Sequence, residues 1–226
     1  MSTDVPDLSL PQPSPPVASR DWGLLDLYFR PRRFFARPDW LQSMGIVLAA
    51  ALLMGLFNGL QKIDQKIESA RAGATGATAA FAAMAGDTWT HYWAFAIGLG
   101  LISAGLLWLV GGWWYRMRIQ WSGASAPDAN LARRVYVLQS VVCALPATVL
   151  AVARTFAFPD PAAATSAEAD AWMLLVGILP FWSCWTSYRA VTTVFDVKRS
   201  GARLWFLVLP LLFFGGIVVA AALIAQ

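Results

Sequence analysis

Five long apolar stretches dominate the chain, and short polar segments separate them. A helix needs around 20 residues to cross a hydrocarbon core of about 30 Å, and each stretch is long enough. Several stretches begin or end beside tryptophan, whose indole ring favours the headgroup region of a bilayer. The pattern predicts five transmembrane helices, over Leu41–Leu60, Tyr92–Trp114, Val135–Phe156, Trp172–Val194 and Leu204–Ala225.

The polar segments outside these stretches differ in character. Residues 1–20 are rich in proline and have no apolar periodicity, which predicts a disordered cytoplasmic tail. Residues 21–40 are amphipathic and form a juxtamembrane segment, and residues 41–226 form the five-helix membrane domain. Residues 61–90 begin with charges and continue in Ala, Gly and Thr, which predicts an extension of the first helix followed by a flexible linker.

The composition also favours a membrane protein. Hydrophobic residues make up 58% of the 226 residues and charged residues 13%, whereas about 25% of an average soluble domain is charged. A soluble domain of this size would need a charged surface that this chain lacks. The predicted fold class is therefore an all-α integral membrane protein, a bundle of five transmembrane helices.

The basic residues predict the orientation of this bundle. Of the 17 Lys and Arg residues, 13 lie before the first stretch, between the second and third, or around the connection from the fourth to the fifth. Basic residues gather on the cytoplasmic side of membrane proteins, so we expect the N-terminus in the cytoplasm and the C-terminus outside. The net charge of +4 follows from the same bias, and we expect no nucleic-acid partner. A bacterial chain of this kind would be a multi-pass protein of the inner membrane.

Few residues are suited to catalysis or to metal binding. The chain has one histidine, His91, and two cysteines, Cys143 and Cys184, whereas zinc and iron–sulfur sites take three or four such ligands. It shows no Ser/His pair, no paired aspartates and no HExxH motif. We therefore expect no enzyme activity, no cofactor and no metal site.

The juxtamembrane segment is the first candidate interaction site. It combines aromatic and basic side chains with a proline, namely Tyr28, Pro31, Arg32, Arg33, Phe34 and Phe35. Such a segment suits the membrane interface, with its rings in the acyl boundary and its guanidinium groups on anionic headgroups. The alternative is a docking surface for a membrane or cytosolic protein. Pro31 cannot continue a helix and is expected to redirect the chain.

A polar node on the fourth stretch is the second candidate. It consists of Ser187 and Arg189, and Arg189 is the one charge placed inside a predicted span rather than at its edge. Its long side chain can reach the interface by snorkelling, or it can turn inward toward Ser187 and Thr192 and form a buried functional site. A path along the third, fourth and fifth transmembrane helices would make the protein a small channel or transporter. Because no Asp or Glu lies inside a span, coupling to protons or cations is disfavoured.

Small residues and prolines inside the stretches predict how the helices pack. Gly55 and Gly59 form a GxxxG pattern, whose missing side chains let a second helix approach closely. We expect this face to pack within the bundle, and a homo-oligomer is the alternative. Pro146, Pro180 and Pro210 predict kinks in spans three, four and five.

Four short motifs follow one another along the chain. They are Tyr28-Phe-Arg-Pro-Arg-Arg-Phe-Phe35, Trp121-Ser-Gly-Ala124, Ala132-Arg-Arg-Val-Tyr136 and the stretch from Trp185 to Ala202. With five spans and an N-terminus inside, these motifs resemble the Yip family, whose eukaryotic members are named for interacting with Ypt/Rab GTPases. The short tail and short loops resemble the bacterial branch of that family.

The resemblance implies a five-helix fold and a non-enzymatic function. A protein of the Yip type would act as an adaptor or scaffold, or in membrane organisation. Its expected partners are a lipid bilayer with anionic headgroups and a membrane or cytosolic protein.

Overall fold

Helices form every regular element in the parts of the chain that the structure, a computed structural model, describes: residues 23–166 and 171–224. The predicted tail, residues 1–20, lies outside these ranges. The helices are α1 (Leu25–Phe29), α2 (Pro31–Phe35), α3 (Pro38–Gln42), α4 (Met44–Arg71), α5 (Ala77–Asp87), α6 (Trp89–Leu106), α7 (Gly112–Trp121), α8 (Ala129–Ala157), α9 (Pro161–Ser166), α10 (Ala171–Val194), α11 (Arg199–Arg203) and α12 (Leu209–Ile224). One π-helical turn, Leu107–Gly111, joins α6 to α7, and another, Leu204–Val208, joins α11 to α12.

Within the described ranges, four segments are long and apolar enough to cross a membrane. They are Met44–Arg71, Trp89–Trp121, Ala129–Ala157 and Arg199–Ala220, and they overlap the first, second, third and fifth predicted spans. The prediction of an all-α chain compatible with an integral membrane protein is confirmed at this level. The fourth predicted span falls on α10, a helix of 24 residues that is not one of these four. Its second half is rich in Ser and Thr, which lowers its hydropathy.

The first long helix begins and ends later than the first predicted span. Leu41 lies in α3, and α4 starts at Met44, where the Ser43 hydroxyl oxygen accepts a hydrogen bond from the Ile46 amide (3.4 Å). Serine commonly caps a helix N-terminus in this way. The helix then continues to Arg71, which confirms the predicted extension beyond the first stretch.

The prediction of a flexible linker after α4 is wrong for residues 77–87, which form α5. Alanine dominates this stretch and has the highest helix propensity of all residues. Ala82 and Ala85 are buried in a hydrophobic cluster that also contains Ile63 and Ile67 of α4. A composition that suggested a linker therefore forms a short helix packed against α4 and α6.

Helices α4 and α6 approach each other along a row of small residues. A Cβ atom at Gly59 would lie 2.5 Å from the Ala96 carbonyl oxygen, and one at Gly55 would collide with Gly100 and Ala104. Small residues permit this close backbone packing, which is a main source of helix association in an apolar environment. The prediction that the GxxxG pattern packs within the bundle is confirmed.

The connections between helices gather at two ends of the bundle. We call the end that carries α1 to α3 the basic end. There the Lys198 amide donates a hydrogen bond to the Ser122 carbonyl (2.9 Å). At the far end, the Trp89 indole donates to the Phe158 carbonyl (2.9 Å). Helix α9 packs on α4 and α5 near the far end, and Lys198 follows α10 at the basic end.

The prolines lie inside or just within the long helices. Helices α8 and α10 continue through Pro146 and Pro180, and Pro210 is the second residue of α12, directly after a π-helical turn. The kinks expected at these positions stay predictions.

Gly55→Ala should destabilise the protein, because the new methyl group would meet Gly100 and Ala104 across the α4–α6 contact. Overpacking of this kind costs typically about 1–3 kcal/mol. The matched control is Gly98→Ala in α6, since a Cβ atom there meets nothing within 4 Å and alanine favours a helix over glycine. Thermal unfolding of both purified variants in detergent measures the difference. A melting temperature of Gly55→Ala at or above that of the control would contradict the close contact.

Candidate functional site at the basic end

Residues 23–42 fold into the three short helices α1 to α3, which together we call the cap. Helix α1 ends at Phe29, and Pro31 is the first residue of α2. Proline is favoured at this position because its φ angle is preset and its missing N–H would have no partner there. Pro38 starts α3 in the same way. The prediction that Pro31 redirects the chain is confirmed.

The inner face of the cap belongs to the protein core. Phe34 and Phe35 are 0% and 2% exposed, and the Phe34 ring packs on Phe35 and Trp40 at centroid distances of 5.1 and 4.8 Å. The expected insertion of these rings into the acyl boundary is therefore wrong. Residues three and four positions apart share one helix face, so Pro31, Phe34 and Phe35 turn inward together where α2 packs on α10.

A buried carboxylate ties the cap together. Asp26 of α1 is completely buried, and its Oδ2 atom accepts a hydrogen bond from the Arg37 guanidinium and lies 3.9 Å from Arg33 Nε. A buried charge is tolerated when charged partners offset its desolvation. Asp26 thus joins α1 to α2 and to the connection that precedes α3. Its burial is not visible in the sequence, since one Asp among Leu residues carries no sign of burial.

Tyr28 connects the cap to two long helices. Its hydroxyl donates to the Val141 carbonyl of α8 (3.2 Å), and its carbonyl accepts from the Trp182 indole of α10 (3.0 Å). Burial raises the pKa of Tyr28 to about 12, so the hydroxyl stays protonated and remains a donor at neutral pH. This predicted site residue is therefore an anchor of the cap.

A cleft with a volume of about 300 Å³ opens between α2 and α10. We call it the arginine cleft, and its lining residues are Phe29, Arg30, Pro31, Arg32, Arg33, Trp185 and Arg189. Arg32 is exposed, whereas Arg33 and Arg189 are half-buried. The structure thus brings the two arginines of the first predicted site together with the arginine of the second.

The two members of the predicted polar node point in different directions. The Ser187 hydroxyl is buried and hydrogen-bonded to the Tyr115 hydroxyl of α7 (3.1 Å). The Arg189 guanidinium lies 5.7 Å from the Trp185 ring and 6.0 Å from the Tyr188 ring. Residues two positions apart do not share a helix face, so Ser187 faces the core and Arg189 faces the arginine cleft. An inward turn of Arg189 toward Ser187 is not found.

Two motif segments of the basic end are in contact with each other. The hydrogen bond between Lys198 and Ser122 joins them, and the adjacent Gly123 has a φ angle of +96°, which strongly favours glycine. Arg118 lies nearby and donates from Nε to the Trp205 carbonyl (3.0 Å). This role of Arg118 is not visible in the sequence, because a basic residue near the end of a span is normally an interfacial residue.

The described residues contain no group of three His, Cys, Asp or Glu side chains that could hold a metal ion. Cys143 and Cys184 are both free thiols.

Comparisons with known proteins return no relative. No protein-family model, curated protein or solved structure matches the chain. The resemblance to the Yip family therefore stays a prediction, and it rests on the four motifs, their order and the predicted topology.

Asp26→Asn should loosen the cap, because it removes the negative charge that Arg33 and Arg37 share. Breaking a buried ion pair costs several kcal/mol, and the partial exposure of both arginines reduces the expected loss to about 2 kcal/mol. Amide hydrogen exchange in α1 and α2 of the purified protein should rise. Asp39→Asn, a change at an exposed carboxylate of α3, is the control and should leave the exchange as it is. Identical exchange in the two variants would show that Asp26 does not hold the cap.

Proposed function

We propose that the chain is a five-span membrane protein of the Yip type that acts as a non-enzymatic adaptor, with the outer face of the cap as its surface for a protein partner. The observation that carries this proposal is the exposure of large apolar side chains on α1, which precedes the first predicted span in the sequence. Leu25 and Phe29 of α1 are 54% and 60% exposed, and the preceding Leu24 is also exposed.

The cap has the properties of a preformed docking surface. Large exposed apolar clusters mark contact sites for other proteins or for a membrane, and this cluster precedes the first predicted span in the sequence. Leu25 and Phe29 are four residues apart, so they lie on one face of α1. Asp26 ties this helix to the rest of the cap, and Tyr28 fixes it on α8 and α10. A surface held in place in this way loses less conformational entropy on binding than a flexible tail would.

The path of α10 supports a fifth span. A helix of 24 residues is about 36 Å long, which exceeds the hydrocarbon thickness of a bilayer, about 30 Å. Its outer residues Ile178 and Trp182 are exposed, as lipid-facing residues would be. With five spans, the bias of the basic residues puts the cap in the cytoplasm, at the inner membrane of a bacterium.

The alternative function, a small channel or transporter, has less support. Two hydrogen-bonded pairs of polar side chains join the helices that such a path, along spans three to five, would follow. The Ser183 hydroxyl donates to Gln139 Oε1 (3.1 Å), and Ser187 shares a hydrogen bond with Tyr115. A selective path needs polar groups that its solute can reach, whereas hydrogen bonds between helices hold membrane bundles together.

A reporter that is active only in the cytoplasm tests the topology. Fused after Gly123, it should be active, because two spans precede this loop. Fused to Gln226, it should be silent, because five spans place the C-terminus outside. Activity at both positions would contradict the crossing of α10.

A photo-crosslinking residue in place of Phe29 should capture a protein partner in native membranes, since this side chain is exposed on the cap. The same residue in place of Met84, which is exposed on α5 toward the far end, is the control and should not capture that partner. Leu25→Asp should strongly reduce capture at position 29, because a charge opposes an apolar contact. Equal capture at positions 29 and 84, or capture that Leu25→Asp does not change, would argue against an adaptor surface on α1.

A further inference from the structure

The arginine cleft concentrates positive charge that the proposed adaptor surface does not use. Arg32 on α2 and Arg189 on α10 face the cleft from two sides, and Arg30 and Arg33 belong to the same lining. None of the lining residues is acidic. Asp26, buried in α1, offsets part of the charge of Arg33. Arg30, Arg32 and Arg189 therefore make the open side of the cleft positive, and Arg32 and Arg189 line it from α2 and α10.

An apolar track leads from the cleft along α10. Trp185, Trp182 and Ile178 precede Arg189 at intervals of four, three and four residues, which is the spacing of one helix face. Trp182 and Ile178 are 39% and 57% exposed, and the rings of Trp182 and Trp185 are 5.5 Å apart. One face of α10 thus changes from basic near the end of the helix to apolar toward its middle.

We infer that the arginine cleft binds the phosphate group of one anionic phospholipid and that the acyl chains of this lipid lie along the track on α10. Guanidinium groups bind phosphate oxygens through paired, charge-assisted hydrogen bonds. Arg32 and Arg189 line two sides of a cleft of about 300 Å³, which has room for a headgroup. The inference rests on the crossing of α10 that the proposed function includes.

The track selects a lipid over other phosphate-bearing or acidic ligands. An acidic peptide would pair with the arginines but would leave Trp182 and Ile178 uncovered. Free phosphate would likewise make no use of the apolar face. A phospholipid satisfies both halves of the site at once, because its charge and its acyl chains are joined in one molecule.

A single lipid site also differs from the general attraction of basic segments to anionic membranes. That attraction depends on net charge and is shared by all basic residues near the surface. Binding in the cleft depends on Arg32 and Arg189 in particular. Arg199, which is exposed at the same end but does not line the cleft, should contribute little.

The test uses the full-length protein in a zwitterionic detergent, with thermal unfolding and native mass spectrometry as readouts. The probes are dioctanoyl phosphatidic acid, dioctanoyl phosphatidylcholine and inorganic phosphate. Phosphatidic acid should raise the melting temperature in a saturable manner and should appear as one bound molecule per chain. Arg32→Gln and Arg189→Gln should each weaken this binding roughly tenfold or more, since each removes a charge-assisted contact. Arg199→Gln should change it by less than about twofold, because a charge outside the cleft is screened.

Ile178→Ser tests the track separately from the headgroup site. It should weaken the binding of phosphatidic acid while the melting temperature without lipid stays close to that of the parent chain, since Ile178 is exposed. If Arg189→Gln does not fold, Arg32→Gln and Ile178→Ser still test the lipid site, since both residues are exposed.

Three results would overturn the inference. They are equal stabilisation by phosphatidylcholine, equal stabilisation by inorganic phosphate at the same concentration, and an equal loss of binding in Arg199→Gln and Arg32→Gln. None of these measurements depends on a protein partner or on the orientation of the termini, so they are independent of the tests of the adaptor function.

Discussion

The buried carboxylate of Asp26 is the contact on which the basic end depends. Helix α2 must turn Phe34 and Phe35 into the core while it holds Arg32 outside, and this requires one particular rotation about its axis. The proximity of Asp26 to Arg33, on the flank of α2, fixes that rotation, and the hydrogen bond from Arg37 fixes the exit of the chain toward α3. The arginine cleft and the exposed face of α1 both exist because these short helices are held in place.

The aromatic residues of the cap and those of α10 lie in different environments. The paired phenylalanines of α2 are buried in the protein core, so they cannot contact lipid. Tryptophans of α10 take their place at the surface, next to the arginine that shares their helix face. The lipid-facing part of the proposed site is therefore on a long helix, and the short helices supply charge.

The sequence was sufficient for the features that depend on length and composition. The long apolar stretches became long helices, and the glycines at positions 55 and 59 packed against another helix of the same bundle. Proline 31 separated two helices, because the constraint that it imposes is local.

The features that were missed depend on partners distant in the sequence. A pair of Phe residues before a span gives the same sequence pattern whether the rings enter lipid or a protein core. Here the rings are buried because α2 packs on α10, a contact that the local sequence does not show. The role of Asp26 was not visible because its two arginine partners lie on α2 and in the connection before α3. The contact between Ser187 and Tyr115 could not be predicted, because it depends on where α7 packs against α10 and the local sequence does not determine that position.

The π-helical turn between α6 and α7 has a consequence for the register of the whole second span. The buried residues Tyr92, Ala96, Gly100 and Ala104 recur every four positions. On a regular α-helix, a stripe with this spacing drifts by about 40° at each step, because 3.6 residues complete a turn. The wider turn at Leu107–Gly111, whose hydrogen bonds join residues five positions apart, absorbs part of this drift. Beyond it, Tyr115 and Ile119 are buried again, now in a helix that packs on α8, whereas α6 packs on α4. The turn is therefore the point at which one continuous helix changes its main neighbour from α4 to α8.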